Sequence, residues 1–234
     1  MKNFKKAFTL AEILLTMSII GVVGIIAVSG AKKDTDVTEK IAQLRKSYEI
    51  IDTAFASAVA ENGLISNWGS TISNRGDVVL SHFKFNKICK TSSGCWRNAK
   101  QLKLDNSESS ITMDSNTSYY KGILANGASI AMINDTTKTN QKLKVSVDVN
   151  GPDKGMNKYG DDIFSFYVFD DGVVLPYAAG TNGQDVCSSG GDGETCTAWA
   201  IKFGNMDYLL AGTDNKCPDN TTLSWTGSHT CRRK

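Results

Sequence analysis

Side-chain chemistry needs a base, a nucleophile or a set of ligands, and this chain is sparing with the first two. Its histidines are His82 and His229. Neither lies in a GxSxG, HExxH or P-loop pattern, and no GxGxxG opens a helix. Adjacent carboxylates occur at Asp161-Asp162 and Asp170-Asp171, in sequence whose turn chemistry already accounts for them. No active site is expected, and the chain reads as a non-enzyme.

Two other residue sets have chemistry to offer. Between Asp148 and Asp162 the oxygen-bearing side chains of Asp148, Asn150, Asp161 and Asp162 alternate with Gly151, Gly155 and Gly160. Hard cations such as Ca²⁺ ask for oxygen ligands on a sharply turning loop. Pro152 stands where a ligand would be needed, so this is not an EF-hand. A structural calcium on these four residues is one reading, and Asp and Asn capping their own turns is the other.

The second set is six cysteines: Cys89, Cys95, Cys187, Cys196, Cys217 and Cys231. An even number without CxxC spacing points to disulfides and an oxidising compartment rather than zinc or dithiol exchange. Fifteen pairings are formally open. The sequential set, Cys89–Cys95, Cys187–Cys196 and Cys217–Cys231, closes three short loops in polar sequence that cannot build its own core. The last loop spans 15 residues and would contribute about 3 kcal/mol by chain entropy.

The elements that position these residues follow from composition and periodicity. The chain has 234 residues, 41% of them hydrophobic, and only 3 Pro, enough to bury one sizeable core. The net charge is +2, but Lys2, Lys5 and Lys6 precede everything else. Without residues 1–7 the balance is 23 basic against 24 acidic. No basic field is left over for a nucleic-acid backbone, so nucleic acid is not expected as a partner.

Phe8 to Val28 is a mostly apolar run whose one charge is Glu12. A helix of that length would span about 31 Å, and lysines before it would hold that end in the cytoplasm. An ordinary signal peptide has a shorter apolar run and no carboxylate. A plain anchor leaves Glu12 unexplained, since an acid there costs up to ~3.5 kcal/mol. Beyond it, Val37, Ile41, Leu44, Tyr48, Ile51, Phe55 and Ala58 recur at spacings of four and three. That is one apolar stripe on a helix ending near Gly63. Period two follows: strands are expected over 119–124 and 128–133 about Asn126-Gly127, over 143–149, over 163–169, and after Asp171-Gly172 over 173–175. Residues 64–118 carry Trp68, Phe83, Phe85 and Trp96 but no ordering signal.

The run Lys5-Lys6-Ala7-Phe8-Thr9-Leu10-Ala11-Glu12, with the apolar segment behind it, resembles the class III signal of type IV pilins and type II secretion pseudopilins. The family's residue before the cut is usually Gly, and here it is Ala7. The resemblance implies cleavage by a prepilin peptidase between Ala7 and Phe8, N-methylation of Phe8, and use of Glu12 in assembly. A carboxylate in an oily segment seeks a cation, and the Phe8 amine of a neighbour supplies one only after cleavage.

The resemblance extends to the 148–162 loop and to a C-terminal signature over 195–210. There it implies a short helix ending at Gly204, with Trp199 buried, that locks the C-terminal loop. Pilins also close that loop by a disulfide, and major pseudopilins carry a calcium. The implied fold is α+β: a long N-terminal helix, with a transmembrane half and an amphipathic half, packed on an antiparallel β-meander with a disulfide-stapled C-terminal loop. Its divisions would be a leader (1–7), a transmembrane half (8–28), an amphipathic half (29–61) and an exported head (62–234). The implied role is a filament subunit in the bacterial cytoplasmic membrane, with like subunits, the peptidase, the assembly platform and lipid as partners. The other expectation kept open is an anchored monomeric binding protein with a disulfide-bonded head.

Overall fold

The structure, a computed structural model, describes the backbone of residues 10–177, 187 and 190–232, and the side chains from residue 35 onward within that set. Helix α1 runs over Leu10–Asn62. The chain divides within it into two compact units, Met1–Glu39 and Lys40–Lys234.

In the larger unit the stripe on α1 is the core face. Ile41, Leu44, Ile51, Phe55 and Ala58 are buried, and the Tyr48 ring stacks on Phe166 at 5.3 Å. The helix stops where Gly63 takes φ +72° and its N–H returns to the Val59 carbonyl at 2.9 Å. Only a residue without Cβ adopts that left-handed conformation freely. Helix α2 (Ile72–Leu80) follows, its first turn capped by the Thr71 hydroxyl accepting from Asn74 N.

Six strands then form an antiparallel meander in sequence order: β1 (Phe85–Lys90), β2 (Tyr120–Leu124), β3 (Ser129–Asn134), β4 (Gln141–Asp148), β5 (Ile163–Phe169) and β6 (Val174–Pro176). β2 to β6 lie within one or two residues of the expected strands. β1, with bulges on either side of its Lys87–Ile88 pairing to β2, was not expected. Register puts Phe166 opposite Val145 and Val145 opposite Met132 on the face that Tyr48 meets. The other face is not solvated. Cys89, Cys95, Trp96, Met113, Tyr119 and Tyr159 pack there with Ala131 and Ile163. A sheet covered on both sides explains why β5 reads as a nearly continuous apolar run. The short helix α3 (Cys196–Phe203) ends at Gly204, in the left-handed region at φ +66°.

One expectation is corrected. A transmembrane half over 8–28 was anticipated, but among the described residues no helix is long and apolar enough to cross a membrane. Where its side chains are described, α1 carries Asp36, Glu39, Lys40, Arg45, Lys46, Glu49, Asp52 and Glu61. Each such charge at a bilayer centre costs ~2.5–3.5 kcal/mol. The fold is α+β with a six-stranded antiparallel sheet and three disulfides, and among the described residues it has no helix long and apolar enough to cross a bilayer.

Candidate functional site

Of the residues singled out from the sequence, Ala7 and Phe8 lie outside the described residues. Glu12 lies within α1, and its side chain is outside them too.

Asp148, Asn150, Asp161 and Asp162 do converge, at the ends of β4 and β5. Most of their oxygens are already engaged. Asp162 is fully buried, and its Oδ2 accepts from Met156 N at 2.8 Å and Asn157 N at 3.0 Å, while Oδ1 accepts from Lys158 N. The Asp161 carboxylate turns to Lys40 Nζ on α1, 2.7 Å away. Asp148 Oδ1 accepts from Asn150 N at 3.2 Å. The Asn150 amide, oriented so that its nitrogen meets acceptors, donates to Asp148 Oδ1 at 2.6 Å and to Lys154 O at 3.3 Å. Gly155 closes the turn at φ +74°, and a Cβ there would collide with the Asp162 carboxylate and the Asn150 amide.

Calcium requires six to eight oxygens facing a common point. Here one carboxylate holds three backbone amides, a second is ion-paired, and among the described residues no group of three or more acids, His or Cys could hold a metal ion. The residues do not fit the ion. The loop is a set of carboxylate-capped turns, so added Ca²⁺ or chelator should leave Tm unchanged in a thermal melt, and a rise of several degrees with Ca²⁺ would overturn that.

Asp148 is the unusual member. It is 1% exposed, and its Oδ2 has no hydrogen-bond partner. Burial, reinforced by the nearby Asp162 charge, pushes its carboxyl up to about 8. Asp162 is also raised by burial, against the opposing pull of the amides it caps.

The cysteines form Cys89–Cys95, Cys187–Cys196 and Cys217–Cys231. Two features around them have no counterpart in the sequence reading. Asp114 Oδ1 accepts from three successive amides, Gly94 N at 2.8 Å, Cys95 N at 3.1 Å and Trp96 N at 3.0 Å, holding the first disulfide loop in place. Beside it the ammonium of Lys121, on β2, is buried and donates to the carbonyls of Asp114 at 2.7 Å and Asn116 at 2.9 Å. Burial lowers its pKa. No local pattern marks either residue, because their partners are loop backbone atoms rather than side chains.

At the C-terminus, Asp207 Oδ2 accepts from Cys231 N at 2.8 Å, and the buried Tyr208 hydroxyl donates to Gly160 O at 2.7 Å. Trp199 is 1% exposed and donates to Asn205. Asp207 and Tyr208 fasten the last disulfide loop and the β4–β5 loop to the helical turn Asp207–Leu209 that follows α3, and both face inward. His229 stacks on Phe203 with ring centres 3.8 Å apart, and His82 Nε2 lies 3.6 Å from Glu61. A half-buried Lys144–Glu194 pair at 2.7 Å joins β4 to the start of α3. The Glu194 carboxylate contributes to the raised pKa of Tyr119, Tyr159 and Tyr177, in each of which burial is the larger cause.

No family model, curated protein or solved structure matches this chain.

Proposed function

We propose that the chain is a structural subunit of a type IV pilus or a type II secretion pseudopilus. In this reading a prepilin peptidase cuts between Ala7 and Phe8, and subunits assemble through the apolar N-terminal segment that contains Glu12. The observation that carries the reading is in the sequence: paired lysines, a small residue, Phe8 and a lone acid five residues into an otherwise apolar run. Glu12 has a physical use only if a cation comes to it, and cleavage creates such a cation at Phe8 of a neighbour. Three disulfides in the larger unit support export to an oxidising compartment. A head fastened by disulfides and capped turns also suits a protein that carries load rather than turning over substrate.

Intact-mass measurement of the protein recovered from its native envelope tests the processing step. The expected chain begins at Phe8 and carries one added methyl group. Recovery of a functional chain still starting at Met1 would end this reading. Glu12→Ala is expected to leave the protein cleaved and stable while reducing filament yield at least tenfold, as scored by shearing and electron microscopy. A monomeric binder would be indifferent to that change.

A further inference from the structure

An asparagine amide is a poor nucleophile, and the enzymes that glycosylate it recognise Asn-x-Ser/Thr, where the hydroxyl residue is bound beside the acceptor. Bacterial enzymes of this class also require an acid two residues before the asparagine, which pairs with a basic group of the enzyme. The shorter pattern occurs at Asn116-Thr117-Ser118, Asn134-Asp135-Thr136 and Asn220-Thr221-Thr222. The residue two places earlier is Asp114 in the first, Met132 in the second and Pro218 in the third. Asn116 alone meets both requirements.

The structure separates these asparagines further. Asn134 uses both ends of its amide: Nδ2 donates to Ser70 O at 2.9 Å, and Oδ1 accepts from Arg75 Nη1 at 2.8 Å. Asn116 sits half-buried in the loop that leads into β2. Its backbone carbonyl takes Lys121 Nζ and its Oδ1 takes Ser118 N, each at 2.9 Å. Its Nδ2 makes no hydrogen bond among the described residues, and Ser115, Thr117 and Ser118 around it are exposed. The Asp114 carboxylate is the opposite case. It is 4% exposed, and its Oδ1 already holds the amides of Gly94, Cys95 and Trp96. An enzyme can meet that acid only before the first disulfide loop closes on it, whereas a sugar already on Asn116 Nδ2 has room at the surface.

We propose that Asn116 is an N-glycosylation site, modified outside the membrane before the head folds. The donor is an oligosaccharide carried on a polyprenyl pyrophosphate. A bond forms between the sugar's anomeric carbon and Asn116 Nδ2 as the bond from that carbon to the pyrophosphate oxygen breaks. The Nδ2 proton passes to a base of the enzyme, and the lipid pyrophosphate leaves. Folding then draws Asp114 onto the 94–96 amides and closes the site to further reaction. This requires export of the head, which the three disulfides support, and does not require a filament.

The test uses full-length protein recovered from its native envelope and cut after Lys103 and Lys121. The peptide over 104–121 is expected to carry the added mass of sugar units, placed on Asn116 by fragmentation. Ser118→Ala should abolish that species while melting as the parent does, because only the hydroxyl is lost, and Ser118→Thr should keep it. A second measurement supplies a purified bacterial oligosaccharyltransferase and a polyprenyl-pyrophosphate-linked heptasaccharide. The reduced, unfolded chain should then be modified roughly tenfold faster or more than the folded head, which offers Asp114 only by local opening. Unmodified peptide alone in the envelope, or sugar that survives Ser118→Ala, would overturn the site. Equal rates on folded and unfolded chains would overturn the order of events. Bare Asn116 on a chain that begins at Phe8 would end this proposal and leave the filament reading. Sugar on a chain that keeps Met1 to Ala7 and builds no filaments would do the reverse.

Discussion

Asp148→Asn is expected to raise the melting temperature by roughly 5 °C or more at pH 8 and to leave it unchanged near pH 4. The sign follows from proton linkage. In the unfolded chain an Asp titrates near 3.9, whereas in the folded head burial and the Asp162 charge hold Asp148 up to about 8. Between these values the native state keeps a proton that the unfolded state has released. Stability therefore falls as pH rises from about 4 to about 8, and changes no further through this group above that. Each tenfold difference in proton affinity is worth ~1.4 kcal/mol, so the full loss amounts to several kcal/mol. Asn keeps the acceptor that receives Asn150 N and cannot ionise, so the variant should lack the decline. Thermal melts from pH 4 to pH 9 on parent and variant check this. Parallel curves would show that Asp148 does not titrate in this range.

Lys121→Met should have the opposite effect, a loss of roughly 3–5 kcal/mol, seen as a drop in Tm on the order of 10 °C. The ammonium is buried and donates to the carbonyls of Asp114 and Asn116, with Thr91 O and Met113 O at 3.4 Å. Without the cation these carbonyls are left in a dry setting, each costing about 1–3 kcal/mol. Met has nearly the same length and shape, so lost packing is small and the change reports the missing donors. The damage should centre on the chain from Thr91 to Asn116, which hydrogen exchange would localise. A variant as stable as the parent would mean that water reaches those carbonyls.

Sheet strands β2 to β6 were legible because the hairpins are local. Asn126-Gly127 and Asp171-Gly172 make their turns from their own residues, and Leu143, Val145 and Val147 alternate whatever lies elsewhere. The stripe from Ile41 to Ala58 was legible for the same reason: a helix face depends on spacing alone. β1 was not legible. Its pattern, from half-buried Phe85 through exposed Asn86, Lys87 and Ile88 to buried Cys89, has no clean period, and it becomes a strand by pairing with β2, more than thirty residues away.

The 148–162 loop separates the two kinds of information most clearly. Asp, Asn and Gly in that spacing suit a calcium and suit a set of capped turns equally, since both need oxygen acceptors on a bending backbone. The backbone path decides between them, because it brings the amides of Met156, Asn157 and Lys158 onto Asp162 and brings Lys40 to Asp161.

By itself, then, the residue order determined the helix face and the strand alternation, both of which depend on near neighbours. Tertiary structure alone decided that the second face of the sheet is buried, that Asp148 is isolated from water, and that Lys121 is enclosed by carbonyls. These depend on which distant backbone groups share a small volume, and no spacing within the chain records that.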